Sequence, residues 1–284
     1  MNSFSFWKNL KMASQKEPAL FGRGELTDIY DSLFDFESKN KSGSYPIHKK
    51  VSIEGQSLLE WVTAKLDFSN SLRVLDAGCG TGNTLFRLNE QFGITGVGLS
   101  VSPKEIEFAK QHAEITSVQD SLFFYCRDFS KSIKDLEFFD VIIAIESLKH
   151  NEDPFSVIQR FVGQLNPGGT LIIVDDFIIG DTSSQHIEKH KSHWSAPGFI
   201  SIRRLKEKLE AFGINYQLTD LSKFVPTKKK WLQTMILGVL KAMKVFLNSS
   251  ASRFRNLETY EGAILLEKLY RKGETGYYMV VCRG

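Results

Sequence analysis

Cysteine is scarce in this chain: Cys79, Cys126 and Cys282 are the only three in 284 residues, widely spaced and odd in number. That excludes a disulfide framework and any C-x-x-C metal spacing, and it fits a reducing compartment, so we expect a cytoplasmic protein. Long apolar runs are missing as well. The opening stretch, MNSFSFWKNLKMASQKE, has no continuous apolar run of signal-peptide length. No segment reaches the ~18 uncharged apolar residues that a membrane-spanning helix needs. The nearest, 231–247, is interrupted by Lys241 and Lys244. Nor does one sign of charge prevail: 36 Lys and Arg against 33 Asp and Glu leave a net +3, too little to argue for a nucleic-acid partner.

What is present describes a globular protein with 42% apolar and 24% charged residues. Phenylalanine is abundant, at 22 residues against 8 Tyr and 4 Trp, and composition leaves open whether those rings fill a core or line a pocket. Charge is locally uneven. Eight basic residues (Lys223, Lys228, Lys229, Lys230, Lys241, Lys244, Arg253 and Arg255) and a single acid, Glu258, lie between 221 and 260. This reads as a solvated helix face, or as a surface that attracts an anionic substrate or membrane.

Strand-like runs fall at 72–76, 96–101, 122–126, 139–146, 170–175, 215–220 and 277–282, with helical patterns near 84–92, 103–113, 155–165 and 202–212. Strand and helix alternating at this spacing predict βαβ units and an α/β fold: a seven-stranded, mostly parallel Rossmann-like sheet with helices on both faces. The expected organisation is an amino-terminal helical cap over 1–70 and a core over 71–221. A helical lid insertion over 222–274 then precedes the last strand of the core at 275–284. Within the lid, Trp231, Met235, Ile236, Val239, Leu240, Met243 and Phe246 share one half of a helical wheel, an amphipathic pattern.

The first strand runs into Asp76-Ala77-Gly78-Cys79-Gly80-Thr81-Gly82-Asn83. Glycines there let a ligand approach the backbone. A dinucleotide fingerprint would need a third glycine where Asn83 stands. A carboxylate just before the turn opposes a pyrophosphate and suits a cationic ligand that bears an amino acid. Further along lie Gly98-Leu99-Ser100-Val101-Ser102-Pro103, Arg127-Asp128-Phe129 and Leu165-Asn166-Pro167-Gly168-Gly169-Thr170-Leu171.

With these four segments in order, the chain resembles the class I S-adenosylmethionine-dependent methyltransferases over about 70–220 and the last strand. The resemblance implies S-adenosyl-L-methionine as cofactor and a set of contacts. Asp76, Gly78, Cys79, Gly80, Gly82 and Asn83 would hold its methionine part. Asp128 would accept from the adenine amine, and Phe129, Val101 and Ile145 would line the adenine and the strand ends. The family usually binds the ribose hydroxyls through an Asp or Glu where this chain has Ser100, whose neutral hydroxyl makes weaker hydrogen bonds. The Ser100-x-Ser102-Pro103 pattern resembles the tocopherol, sterol and cyclopropane-fatty-acid branch.

Glu146-Ser147-Leu148-Lys149-His150 follows the fourth strand and resembles the E-S-x-x-H segment of that branch. Glu146 and His150 are both candidate proton acceptors. In relatives that methylate prenyl chains the glutamate of this segment looks like the base, so the resemblance makes Glu146 the first candidate. Tyr30 resembles a tyrosine that closes over the cofactor. Tyr45, Glu146, His193 and Trp194 would line the acceptor pocket. His186 and His190 have i, i+4 spacing but lack the glutamate of a zincin, so we expect no metal.

The expected acceptor is an apolar small molecule, favoured as a carbon of a prenyl, terpenoid or lipid-like compound. The alternatives are oxygen or nitrogen methylation of a phenol, quinone or amine, a non-catalytic cofactor-binding protein, or a methyltransferase of RNA or protein. The 228–248 helix is a candidate for peripheral membrane contact or self-association.

Overall fold

The computed structural model describes residues 51–53, 55–64, 66, 72–180, 184–227, 231, 234–239 and 251–283. Residues 1–50 of the cap predicted over 1–70, with Tyr30 and Tyr45, lie outside the described residues, as does most of the 228–248 segment. A two-residue hairpin, β1 (Ser52–Ile53) and β2 (Gln56–Ser57), leads into α1 (Leu58–Thr63). A capping box closes this helix start: Ser57 accepts from the Glu60 amide, and Glu60 returns to the Ser57 amide.

The core alternates as its sequence pattern demands. β3 (Arg73–Ala77), α2 (Asn83–Phe92), β4 (Thr95–Ser100), α3 (Pro103–Ile115), β5 (Leu122–Cys126), β6 (Phe139–Ile145), α4 (Pro154–Val162) and β7 (Leu165–Ile178) follow in order. After them come α5 (Gln185–His193), α6 (Ile202–Ala211), β8 (Asn215–Asp220), α7 (Ala251–Lys272) and β9 (Thr275–Arg283). The seven-stranded sheet has the order β5-β4-β3-β6-β7-β9-β8, parallel except for β9, which runs antiparallel to both neighbours.

Strands covered on both faces read as unbroken apolar runs, and neighbours in sequence go to opposite sides. Val74, Ile143 and Ile172 join Leu85, Leu88 and Ile106 on one face. Leu75, Ile142 and Ile173 join Leu99, Phe139 and Phe161 on the other. Among the described phenylalanines, Phe124, Phe139, Phe161 and Phe177 are buried in these two layers.

Three elements depart from the sequence pattern. Pro167-Gly168-Gly169 is not a turn ahead of the fifth parallel strand but part of it. β7 begins at Leu165, paired with Phe139, and takes up the extra residues as a register shift against β6. Gly168 supplies the positive φ of 79° that this irregularity needs. α5 carries almost no apolar stripe, since only Ile187 and His190 are buried. It is held by the Ser184 cap and by α7: His190 Nδ1 lies 2.9 Å from the Gly262 carbonyl, and Lys189 bonds Glu261. In the lid segment, residues 234–239 are helical, yet Trp231, Met235 and Val239 are 65%, 52% and 52% exposed. Part of the predicted apolar face therefore looks outward. No helix among the described residues is long and apolar enough to cross a membrane.

Candidate active site

The chain leaves β3 for β4 and β5 on one side of the sheet and for β6 and β7 on the other, so a crevice opens at the carboxyl ends of β3 and β6. Most of the described candidate residues converge there. The glycine-rich turn is built for close approach. Gly78, Gly80 and Gly82 have φ of 95°, 52° and 83°, a region that side chains strain to enter. A Cβ on Gly78 would collide with Ser147, and one on Gly82 would come within 2.5 Å of Phe124. A Cβ on Gly80 would meet nothing nearer than Glu105 Oε1 at 3.8 Å. Packing thus fixes the outer two glycines, while the middle one faces open space. The amides of Gly78 and Cys79 both bond the Leu99 carbonyl at 2.9 Å, which pins the turn to the end of β4.

Asp76, at the end of β3, is 4% exposed, and its Oδ2 has no hydrogen-bond partner among the described residues. Burial pushes its carboxyl up to about 7. A buried acceptor of this kind calls for a donor, and a cationic one would restore its charge. Cys79 contributes its backbone to the turn. Its thiol is buried, and burial, with Asp76 and Glu105 nearby, holds its pKa well above the usual value.

Ser100 does not act alone. Its Oγ donates to Glu105 Oε2 at 2.7 Å. Ser102 caps α3 by accepting from the Glu105 amide, so Ser102-x-x-Glu105 has the form of a capping box. Here, however, the glutamate reaches the strand end, and a carboxylate from the next helix occupies the region where the family places its acid. The pattern at the strand end gave no sign of Glu105; the N3 position of the capping signature is the feature that reveals it.

Asp128 follows β5. Its Oδ1 accepts from the Ser130 amide at 2.8 Å, and Arg160 grips the same loop through the Ser130 carbonyl at 2.7 Å. Phe129 is only 8% exposed and packs on Phe161 at 5.7 Å beneath the glycine turn. Val101 is half-buried, Ile145 is buried, and Asn83 opens α2.

On the other side of the crevice, Glu146 directly follows β6 with a left-handed φ of 53°, a strained position for a residue with a Cβ. Its Oε1 accepts from the Tyr277 hydroxyl at 2.8 Å. The next residue, Ser147, donates from Oγ to the Ala77 carbonyl at 2.6 Å and so joins this strand end to the glycine turn. Lys149 is buried, and its Nζ lies 3.0 Å from Asp175 and 2.6 Å from Asp176. Burial opposes its charge, but the two carboxylates outweigh that and hold its pKa well above the usual value.

His150 has its Nδ1 2.9 Å from the Ser195 carbonyl, which places the ring proton on that nitrogen. Burial and the neighbouring Lys149 push its pKa down to about 4, so it is a weak base at neutral pH. Of the two sequence candidates for proton acceptor, His150 is thus the one whose basicity its surroundings lower.

His193 and Trp194 sit at the end of α5, not on the strand ends. His193 faces Glu261 at 3.6 Å and Glu258 at 4.0 Å on α7. Trp194 packs in a separate cluster with Ile187, Phe199 and Leu269. The three histidines of this region have different partners: Lys268 Nζ bonds His186 Nε2 at 2.7 Å, and His190 pairs with Gly262. No group of three metal-ligating side chains occurs among the described residues.

A Rossmann-like sheet and a glycine turn with one open position beside the buried carboxylate of Asp76 are the features of a protein of the methyl-transferring class. A family model described as a methyltransferase domain matches residues 68–238, and the chain belongs to that family. Among curated proteins, it is 30% identical over 210 residues to Methyltransferase GfsG of Streptomyces halstedii, covering 70% of this chain and 76% of that one. It is 26% identical over 204 residues to 2-methyl-6-phytyl-1,4-hydroquinone methyltransferase of Synechocystis, covering 64% of this chain and 63% of that protein's length.

Among solved structures, the [4+2]-cyclase SpnF superposes with a TM-score of 0.68 at 19% identity, over 91% of this chain and 94% of that one. Geranyl diphosphate C-methyltransferase from Streptomyces coelicolor, in complex with S-adenosyl-L-homocysteine, superposes with a TM-score of 0.67 at 15% identity, over 94% and 99%. These two likenesses show the fold; the sequence match carries the family. The methyl donor is S-adenosyl-L-methionine, which the open glycine turn and the unsatisfied carboxylate of Asp76 fit.

Proposed function

We propose that the chain methylates a carbon of an apolar prenyl, terpenoid or related lipid-like acceptor. The observation that carries this is Glu146, a carboxylate in a strained backbone position at the mouth of the sheet, fixed by a buried phenol and one residue from the glycine turn. When bound, the cofactor supplies a methyl group already activated on a sulfonium.

The chain's own residues do the rest. Asp76 and the Gly78–Gly82 turn hold the amino-acid end, Ser100 with Glu105 provides acceptors for the ribose hydroxyls, and Asp128 stands at the adenine side. Bringing the reactants into line and keeping water out supply most of the rate. As the acceptor carbon gains its methyl group, positive charge develops on the acceptor. Loss of a proton to the Glu146 carboxylate then restores the neutral product.

Two relatives support this reading by name: the Synechocystis phytylhydroquinone enzyme names a substrate with an apolar phytyl chain, and sterol 4-C-methyltransferase of Caenorhabditis elegans, 28% identical over 175 residues, names a carbon acceptor. A second reading, methylation of an oxygen of a small molecule, is favoured by the 29% identity over 194 residues to 27-O-demethylrifamycin SV methyltransferase of Amycolatopsis mediterranei.

The test is methyl transfer from labelled S-adenosylmethionine to a phytylhydroquinone, a sterol, geranyl diphosphate and a catechol, with the site of label read by mass spectrometry and NMR. Label on carbon supports the first reading and label on oxygen the second. Absence of any product, with normal cofactor binding, overturns both. Glu146→Gln should lower turnover by roughly 10²–10³ with cofactor affinity unchanged; full turnover would remove Glu146 from the chemistry.

A further inference from the structure

We propose that Tyr277 is the positioning residue for the site's base: its hydroxyl fixes the Glu146 carboxylate and keeps it ionised, and a buried charge cluster behind it holds the tyrosine in place. This rests on the reading of Glu146 as the group that takes the acceptor's proton.

Tyr277 is 0% exposed, and its ring fills core space that a Phe would fill equally well. What the hydroxyl adds is the 2.8 Å bond to Glu146 Oε1. Burial, with Glu146 next to it, keeps the phenol pKa well above the usual value, so it remains a donor at every working pH. The strand that delivers it is fixed in register. On the antiparallel β7/β9 ladder Tyr277 lies opposite Asp176, and Tyr278 opposite Asp175.

Those two aspartates share the ammonium of Lys149, Asp175 Oδ2 also accepts from the Lys149 amide at 3.1 Å, and the Tyr270 hydroxyl bonds Asp176. Among the described residues, groups whose charge bears on Glu146 come from several elements. Tyr277 comes from β9, Lys149 and His150 from the turn after β6, and Tyr270 from α7, with Asp175 and Asp176 of β7 behind them. The cation nearest to Glu146 in sequence, Lys149, makes its ion pairs with the two aspartates, and the Tyr277 hydroxyl gives the Glu146 carboxylate a neutral donor. A neutral hydrogen bond orients a carboxylate and lowers its proton affinity less than a full counter-charge would.

The experiment uses the full chain labelled with [13Cδ]glutamate, with the Glu146 signal assigned by its loss in Glu146→Gln. In Tyr277→Phe the titration midpoint of Glu146 should rise by about one pH unit or more, because the charged form loses its donor. The melting temperature and S-adenosylhomocysteine affinity should stay near native. Replacing Tyr277 with 3,5-difluorotyrosine keeps the ring and strengthens the donor, so the midpoint should move the other way; this arm serves also if Tyr277→Phe folds poorly. In methyl transfer, Tyr277→Phe should lower kcat and spare KM, with no further loss in the Glu146→Gln background. Unmoved midpoints in both variants would overturn the proposal. Full turnover by Glu146→Gln with shifted midpoints would instead overturn only the reading of Glu146 as base.

Discussion

At the scale of single residues, the site is a set of buried groups that lack or share counter-charges, and this makes its behaviour measurable. Asp76 titrates near neutral pH because it is buried, and a cationic ligand favours its ionised form. Affinity for S-adenosylhomocysteine should therefore rise from pH 6 to pH 8, by up to about tenfold per unit below the midpoint, and Asp76→Asn should flatten the curve. Calorimetry at three pH values checks this. Gly80→Arg should abolish cofactor binding, because it fills the one open position of the turn.

The residues behind this were unequally legible in sequence. Asp76 and the glycines announce themselves because chain neighbours make the turn. Tyr277 and the Lys149–Asp175–Asp176 cluster do not, because folding joins residues as far apart in the chain as 146 and 277, and Glu105 shows only through its place in the Ser102 capping signature. Nothing local distinguishes Tyr277 from a core aromatic. Phe129, read from its motif as a ring against adenine, is mostly taken up by the core.

At the scale of elements, parallel strands buried on both faces were readable from their apolar runs. β8 begins and ends where the pattern placed it, at Asn215–Asp220. α5 was not readable, since its stability comes from α7 and not from a stripe of its own. The lysine run at 228–230 adjoins the outward Trp231, Met235 and Val239, a combination that suits an anionic surface. We expect the protein to cosediment with phosphatidylglycerol vesicles at low salt and to be released near 0.5 M salt, with Trp231→Glu weakening capture at both. Capture by neutral vesicles alone would contradict the electrostatic part of this expectation.

At the scale of the whole molecule, two buried features should govern stability. Lys149→Met strands two buried carboxylates, and we expect a loss of about 3–5 kcal/mol, read as a clear drop in melting temperature. His150 is held neutral in the fold with a pKa near 4, below its unfolded value of ~6.5. Above ~6.5 its contribution is fully present, and it is lost as pH falls toward 4. The fall in melting temperature across that window should be shallower in His150→Asn than in the native chain.

The bond from Ser147 to the Ala77 carbonyl has a consequence for regiochemistry. On the proposed reading of the site, it ties the glycine-turn rim of the crevice to the strand end before Glu146, so the separation between methyl donor and proton acceptor would be set when the sheet forms. Such a rim works as a fixed gauge. On that reading the acceptor atom that reaches this depth is the one methylated, and lengthening or branching the acceptor beyond that point should change how tightly it binds without changing which atom is methylated.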